Sequence, residues 1–331
     1  MLSNKLAIGT RSLGQHESHE LDQKIRSAAK HGFAGVEVVY GDLEIYAKSR
    51  GLELAAAAKA IRQLCQENDI VVLALAPFEA YEGDKSPLDQ RLRKAQHWFD
   101  IARILGAEFL QVPAQFAVDC DGDEDVIASD LRRLSDLGSA ARPVVSVAYE
   151  PMSWSTHVST WQATLRIVEK VGRPNFGLCL DSFHVLTKLW GNNRDASGRY
   201  PNADARLATS LASFKREFPL DKLFYVQLSD GERFDPPYSM RHPWFLEGEA
   251  AEFTWSRHGR PFPGETQYGA YLPVAEFLKA CVVDKRFKGW VSMEIFDRRM
   301  TESSYSIEDA AARGAKSWEY LLREVSPLQT L

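Results

Sequence analysis

Short runs rich in Val, Ile, Leu and aromatic residues alternate along this chain with longer stretches of helical period, and this alternation limits the possible folds. The pattern is expected of repeated strand-helix units that build a parallel sheet. About eight such runs can be counted, starting roughly 30 residues apart in the first six units, which predicts a closed (β/α)₈ or TIM barrel of the α/β class. The predicted strands cover 6–10, 35–40, 70–76, 109–114, 144–150, 176–183, 223–230 and 289–297.

The stretches between the strands carry ordinary helix punctuation. One predicted helix ends at Gly32, and another opens with Pro87 and ends at Gly106. Proline near the start of a helix and glycine just past its end are the expected signals. A length of 331 residues suits one barrel, so we predict a single domain over 1–331.

The seventh strand-helix unit departs from this regular spacing. Residues 231–268, after the seventh strand, are rich in Pro, Gly, Arg and aromatics and too irregular for one helix. Loops of this length are usually functional or disordered, and the aromatic content disfavours disorder. The segment is predicted to be an insertion that serves as a lid or substrate contact, with a homodimer contact as the alternative.

Polar residues recur near the downstream ends of four consecutive predicted strands: Glu150, Asp181, Gln227 and Glu294. Consecutive strand ends are neighbours on one rim of a barrel, so three carboxylates and an amide oxygen are expected to converge. Carboxylates that close repel one another, and such a site normally holds a cation. Oxygen ligands favour Mg²⁺ or Mn²⁺, with Co²⁺ or Zn²⁺ tolerated. The competing interpretation is that each acid pairs with an Arg or Lys.

His184 follows Asp181 by three residues, in the predicted loop that leaves strand six. There an imidazole can face the same mouth without entering the metal shell, which suits a general acid/base. A purely structural histidine is the alternative. Glu37, Gln111, Trp154 and Arg233 are weaker candidates for the rim, and the basic residues of the insertion are candidates for binding an acidic substrate. Those basic residues are Arg233, Arg241, Arg257 and Arg260.

Several classes of protein are disfavoured. A net charge of -5 without a basic stripe gives nucleic acid little to bind. The chain lacks an N-terminal apolar leader and any run of about 20 apolar residues, so we expect a cytoplasmic protein that does not enter membranes. The four cysteines are widely spaced and are expected to be reduced thiols. Signatures of dinucleotide, P-loop, HExxH and GxSxG sites do not occur.

Several phrases resemble a known family. The order of Glu in "VAYEPMSW", Asp and His in "LCLDSFH", Gln in "FYVQLSD" and Glu in "WVSMEIF" is similar to the xylose-isomerase-like barrel superfamily. More narrowly, "GVEVVYGDLE", "SWSTHVSTWQ", "RPNFGLCLDSFHV", "FTWSRHGRPFP", "GAYLP" and "KGWVSMEIFDRRM" resemble the fungal type of 3-dehydroshikimate dehydratase. These phrases span 35–300, so the resemblance covers nearly the whole chain.

The resemblance implies a hydro-lyase that uses a divalent metal to convert 3-dehydroshikimate into protocatechuate, in quinate and shikimate catabolism. It carries over Glu150, Asp181, Gln227 and Glu294 as metal ligands and His184 as acid/base. Glu150 or Glu294 is the alternative base, and an Arg of the insertion would hold the substrate carboxylate. Fold and ligands alone do not settle the reaction, so a sugar isomerase or ketose 3-epimerase of the same superfamily remains the alternative.

Overall fold

The computed structural model describes residues 3–326, and within them eight parallel strands close into a barrel with helices outside. The barrel strands are β1 (Leu6–Gly9), β2 (Gly35–Val39), β3 (Val71–Ala76), β4 (Phe109–Pro113), β5 (Ser146–Glu150), β6 (Phe176–Asp181), β7 (Leu223–Leu228) and β9 (Trp290–Met293). Two short strands, β8 (Gly259–Arg260) and β10 (Phe296–Asp297), pair antiparallel outside the barrel. The predicted TIM barrel is confirmed.

The helices follow the strands in the expected order. They are α1 (Leu21–Lys30), α2 (Tyr40–Ser49), α3 (Leu54–Glu67), α4 (Leu88–Leu105), α5 (Glu124–Ala140), α6 (Trp161–Val171), α7 (Ser182–Leu189), α8 (Ala203–Glu217), α9 (Ala251–His258), α10 (Val274–Leu278) and α11 (Ile307–Val325). The punctuation of α4 is as predicted: Pro87 precedes it, and Gly106 ends it at φ 77°, a conformation that favours glycine.

Two layers of apolar side chains hold the barrel together. Residues that alternate along each strand face opposite sides, so Ile8 packs in the large cluster under the helices and Ala7 in a smaller one. The smaller cluster, inside the barrel, consists of Ala7, Leu73, Ala148, Cys179, Tyr225 and Trp290. None of the helices in residues 3–326 is long and apolar enough to cross a bilayer.

Several predicted strands end earlier than expected, and at two of them this changes where a residue singled out in the sequence lies. β6 stops at Asp181 because the Asp181 side chain accepts a hydrogen bond from the backbone N–H of Phe183 and caps α7. His184 therefore lies in the first turn of a helix and not in a loop, which corrects the sequence prediction. β9 stops at Met293, so Glu294 follows the strand directly.

Residues 231–268 are irregular, as predicted, with α9 and β8 as their regular parts. The base of this insertion is fastened to Asp230, whose buried carboxylate accepts hydrogen bonds from four backbone N–H groups, those of Gly231, Gly264, Tyr271 and Leu272. β8 then pairs with β10, just after Glu294. The insertion thus lies over the carboxyl ends of the barrel strands.

Candidate active site

The four polar strand ends singled out in the sequence meet on one side of the barrel mouth. Asp181 is the register partner of Gln227, and Gln227 is the register partner of Ser292 on β9. The backbone N–H of Glu294 donates to the carbonyl of Leu228 at 3.0 Å, which holds this acid beside the end of β7. Barrel closure therefore gathers residues that are far apart in the chain.

Glu150, Asp181 and His184 form the tightest group. One potential ligand atom from each lies within 4.8 Å of the others, and all three side chains are buried. Nε2 of His184 is 3.5 Å from Oε1 of Glu150 and 3.5 Å from Oδ2 of Asp181. The spacing of these atoms is that of a metal site, and the tautomer of the His184 ring decides whether the imidazole can be one of its ligands.

Arg260 is the counter-charge of these acids. Its Nη2 lies 2.6 Å from Oδ2 of Asp181 and 2.9 Å from Oε2 of Glu294, and its side chain is fully buried. The alternative drawn from the sequence, that each acid pairs with an Arg or Lys, thus applies to Asp181 and Glu294. Their partner, Arg260, lies in β8 of the insertion. Spacing could not reveal this contact, because it depends on the long-range pairing of β8 with β10.

The single positive charge of Arg260 does not balance the negative charges of Glu150, Asp181 and Glu294. Burial raises the pKa of Glu294 well above its ordinary value, and the charges of Glu150 and Asp181 raise it further, against the opposing effect of Arg260. Oε1 of Glu150 is buried and accepts no hydrogen bond within residues 3–326. The donor set, rich in carboxylate oxygen and short of positive charge, fits a divalent cation.

Gln227 lies between Glu294 and a second buried acid, Glu37. Its amide nitrogen donates to Oε1 of Glu294 at 3.1 Å and to Oε2 of Glu37 at 3.0 Å, while its oxygen accepts from Sγ of Cys179. Burial raises the pKa of Glu37 to about 7, although hydrogen bonds from Ser292 and Tyr225 lower it. Glu37 thus supports Gln227 from inside the barrel.

The ring of His184 is held in one tautomer by Ser153. The backbone N–H of Ser153 donates to Nδ1 of His184 at 3.2 Å, so the proton of the neutral ring resides on Nε2. Nε2 is the nitrogen that faces Glu150 and Asp181. An N–H at this position can donate a proton or a hydrogen bond but has no lone pair for a metal. Sequence reasoning missed Ser153, because its contact with His184 depends on how the loop after β5 folds back.

A cleft of about 900 Å³ opens above this group. Gln111 and Trp154 line it, together with Arg257 of the insertion. Gln111 donates to Oε2 of Glu150, and its own Oε1 is buried without a hydrogen-bond partner in residues 3–326. The same is true of Nε1 of Trp154, whose ring packs edge-on against His184 at 4.7 Å. Both atoms thus have a hydrogen-bonding capacity that no described residue uses.

Other candidates for substrate binding occupy different positions. Arg233 is exposed and donates to the carbonyl of Ala196, and it is not among the described residues that line the cleft. Glu37 is likewise absent from that lining, because it lies deeper in the barrel. Arg241 is exposed on the insertion. Their predicted contact with substrate has no geometric support.

Comparison with known proteins gives the family. A family model described as "Xylose isomerase-like TIM barrel" matches residues 25–321. The chain is 38% identical, over 98% of its length and 95% of the relative, to a protein of Neurospora crassa named 3-dehydroshikimate dehydratase.

Solved structures share the same architecture. A fusion protein of a xylose isomerase-like TIM barrel with 4-hydroxyphenylpyruvate dioxygenase superposes with a TM-score of 0.76 and 27% identity, covering 98% of this chain and 43% of that protein. The IOLI protein, solved with a zinc atom, gives a TM-score of 0.69 and 19% identity, with 99% and 100% covered. The chain belongs to the xylose isomerase-like TIM barrel family and, within it, is a homologue of the Neurospora 3-dehydroshikimate dehydratase.

Proposed function

We propose that this protein is a divalent-metal-dependent 3-dehydroshikimate dehydratase, which removes water from 3-dehydroshikimate to give protocatechuate. The observation that carries the proposal is the nearly full-length similarity to the Neurospora relative of that name. The geometry supports it: the cleft joins a carboxylate group suited to a cation with an imidazole N–H. No feature of the site favours a sugar epimerase over this reaction.

The residues proposed to hold the ion are Glu150, Asp181, Gln227 and Glu294. The three carboxylates supply the oxygen donors that Mg²⁺ or Mn²⁺ prefers, with Co²⁺ or Zn²⁺ as alternatives. Gln227 would join them with its amide turned, so that the oxygen takes the place of the nitrogen that faces Glu294 in this structure. A bound ion would act as a Lewis acid towards the substrate ketone and so favour negative charge on its oxygen. IOLI, a protein of the same fold, was solved with a zinc atom, which agrees with a metal-binding role for such a barrel.

Two proton transfers are assigned to the side chains of Glu150 and His184. The carboxylate of Glu150, whose Oε1 is unpartnered, takes the proton from the carbon next to the ketone. His184 donates from Nε2 to the hydroxyl on the following carbon, which departs as water. The proton held by Glu150 then returns to Nε2 across 3.5 Å, so both groups regain their starting state. The dehydrated ring enolises to the aromatic product, which makes the reaction nearly irreversible.

The test uses protein freed of metal by a chelator and then supplied with Mg²⁺ or Mn²⁺. We expect an aromatic product to appear in the near-ultraviolet spectrum when 3-dehydroshikimate is added, and only with the metal present. Glu294→Gln should lose metal in equilibrium dialysis and lose turnover with it, whereas Glu247→Gln, on the exposed insertion surface, should behave as wild type. Epimerisation of a ketohexose without any aromatic product would overturn the proposed reaction.

A further inference from the structure

The arginines of the cleft differ in their partners. Four of them line it: Arg11, Arg257, Arg260 and Arg298. Arg257 forms an ion pair with Glu249 at 2.8 Å, and Arg298 pairs with Glu232. Arg260 is committed to the acids of the proposed metal site. Each of these three guanidiniums already has a carboxylate partner.

Arg11 is the exception. Within residues 3–326, no carboxylate oxygen lies within 4.0 Å of its guanidinium, and its side chain makes no hydrogen bond. The nearby acid Asp42 is already bound, since its Oδ2 accepts from Nζ of Lys24 at 2.9 Å and from Oγ1 of Thr10 at 2.7 Å. A half-buried guanidinium that faces a cleft without a partner is the group expected to bind a ligand anion.

The charge of the cleft is divided between its two sides. Arg11 lines the cleft beside β1, whereas Lys24, Glu37 and Asp42 are buried and are not among the described residues that line it. Glu150 and Asp181 end β5 and β6 on the opposite side, whereas Glu294 follows β9, which is the neighbour of β1. Together these three carboxylates carry more negative charge than Arg260 neutralises. A ligand with an anionic group at one end and a metal-seeking group at the other matches this distribution.

The order of the strands in the barrel places Arg11 and Glu150 on opposite sides of its mouth. The strands follow one another as β1, β2, β3, β4, β5, β6, β7 and β9, so the end of β1 lies opposite the end of β5. Arg11 lies in the turn Thr10–Leu13 that directly follows β1, and Glu150 ends β5. The cleft contains both residues and spans the distance between them.

We propose that Arg11 binds the carboxylate of the substrate and thereby sets the orientation of the ring, with the ketone towards Glu150, Asp181 and His184. This proposal rests on the proposed function for the identity of the acid. The sequence predicts that an arginine of the insertion binds the carboxylate. Arg11 takes that role in this proposal, and it lies at the end of β1, outside the insertion. The planar guanidinium can form two parallel hydrogen bonds to one carboxylate, which fixes a direction as well as a charge.

The test compares two ligands that differ only in the carboxylate: protocatechuate and catechol. Their binding to the Mn²⁺-supplemented protein is measured by calorimetric titration for wild type, Arg11→Met, Arg11→Lys and the exposed control Arg241→Met. We expect Arg11→Met to weaken the binding of protocatechuate roughly 10- to 100-fold and to leave the binding of catechol unchanged. Arg11→Lys should recover part of the loss as a point charge. The KM for 3-dehydroshikimate should rise with the same rank order, and kcat should fall by a smaller factor as the orientation of the ring is lost.

If Arg11→Met weakens the binding of both ligands equally, or of neither, the proposal is overturned. Near-ultraviolet circular dichroism and the melting temperature show whether Arg11→Met is folded, and Arg11→Lys provides the measurement if it is not. The titration needs no turnover, so the two proposals fail separately. A wild-type protein that prefers protocatechuate through Arg11 but does not dehydrate 3-dehydroshikimate refutes the reaction and leaves the carboxylate site standing.

Discussion

His184 lies close enough to two acids to be mistaken for their metal-ligating partner. Its Nε2 is 3.5 Å from both carboxylates, yet the backbone N–H of Ser153 occupies the lone pair of Nδ1. A neutral imidazole has one proton and one lone pair, so the proton must be on Nε2. This local contact separates the role of His184 from that of Glu150 and Asp181.

Replacement of His184 by alanine should therefore separate catalysis from metal binding. We expect turnover of 3-dehydroshikimate to fall at least about a hundredfold, the usual loss when a positioned proton donor is removed. The metal content, measured after dialysis against Mn²⁺, should remain near that of wild type. His157→Ala, at an exposed histidine, is the matched control. Loss of the ion together with the imidazole would show that His184 is a ligand.

The residues that sequence reasoning located correctly are those that end strands. Glu150 and Asp181 follow apolar runs, and barrel geometry alone brings such ends together. Arg260 and Ser153 could not be assigned, because their contacts depend on how the insertion and the loop after β5 fold back. Arg11 has no carboxylate partner within residues 3–326 and follows a strand as many arginines do, so its surroundings become apparent only in the folded cleft.

The insertion, residues 231–268, depends on one buried acid at its base. Oδ1 of Asp230 accepts from the N–H groups of Tyr271 at 2.8 Å and Leu272 at 2.7 Å, where the chain returns from the insertion. Burial raises the pKa of Asp230 to about 6, despite these hydrogen bonds. The sequence predicted an irregular, ordered segment here from its composition. It could not predict the anchor, since one aspartate after a strand resembles many others.

Asp230→Ala should loosen the insertion while the barrel stays folded. Each buried backbone N–H that loses its acceptor costs about 1–3 kcal/mol, so the segment is expected to open locally. Limited proteolysis, with the cleavage sites mapped by mass spectrometry, should show faster cutting within 231–268 than in wild type. Glu247→Ala, an exposed change in the same segment, should leave the rate unaltered. Unchanged cleavage in Asp230→Ala would mean that β8 and α9 hold the insertion without this acid.

Either predicted role of the insertion, lid or dimer contact, must agree with two observations. Trp244, Phe253 and Arg257 face the cleft, which favours a role in covering the substrate. Met240, on the same segment, is 82% exposed and is not among the described residues that line the cleft. Both roles remain predictions, and the first follows more directly from the cleft lining.

The molecule as a whole carries several acids in positions where charge is costly. Burial raises the pKa of Glu37 and of Glu82 to about 7. Glu37 supports Gln227 at the site, whereas Glu82 lies away from the proposed metal ligands and binds the N–H of Gln115 and the hydroxyl of Tyr149. A folded state that holds a proton more tightly than the unfolded chain loses stability as pH rises.

Glu82 allows this effect to be measured without disturbing the proposed metal site. Its folded pKa of about 7 exceeds the ordinary 4.5, so its contribution to the free energy of unfolding decreases as pH rises from about 4.5 to 7. Glu82→Gln keeps an oxygen that can accept both hydrogen bonds but does not ionise. It should stabilise the protein by about 3 kcal/mol at pH 8 and by about 1 kcal/mol at pH 5.

Urea denaturation of the chelated protein at these two pH values measures the difference, with Glu169→Gln as the exposed control. Wild type should lose stability between pH 5 and pH 8 by more than the variant does. The control should follow wild type at both values. If Glu82→Gln is destabilising at pH 8, the ionised carboxylate contributes more through Gln115 and Tyr149 than its burial costs, and the direction assigned to its pKa is wrong.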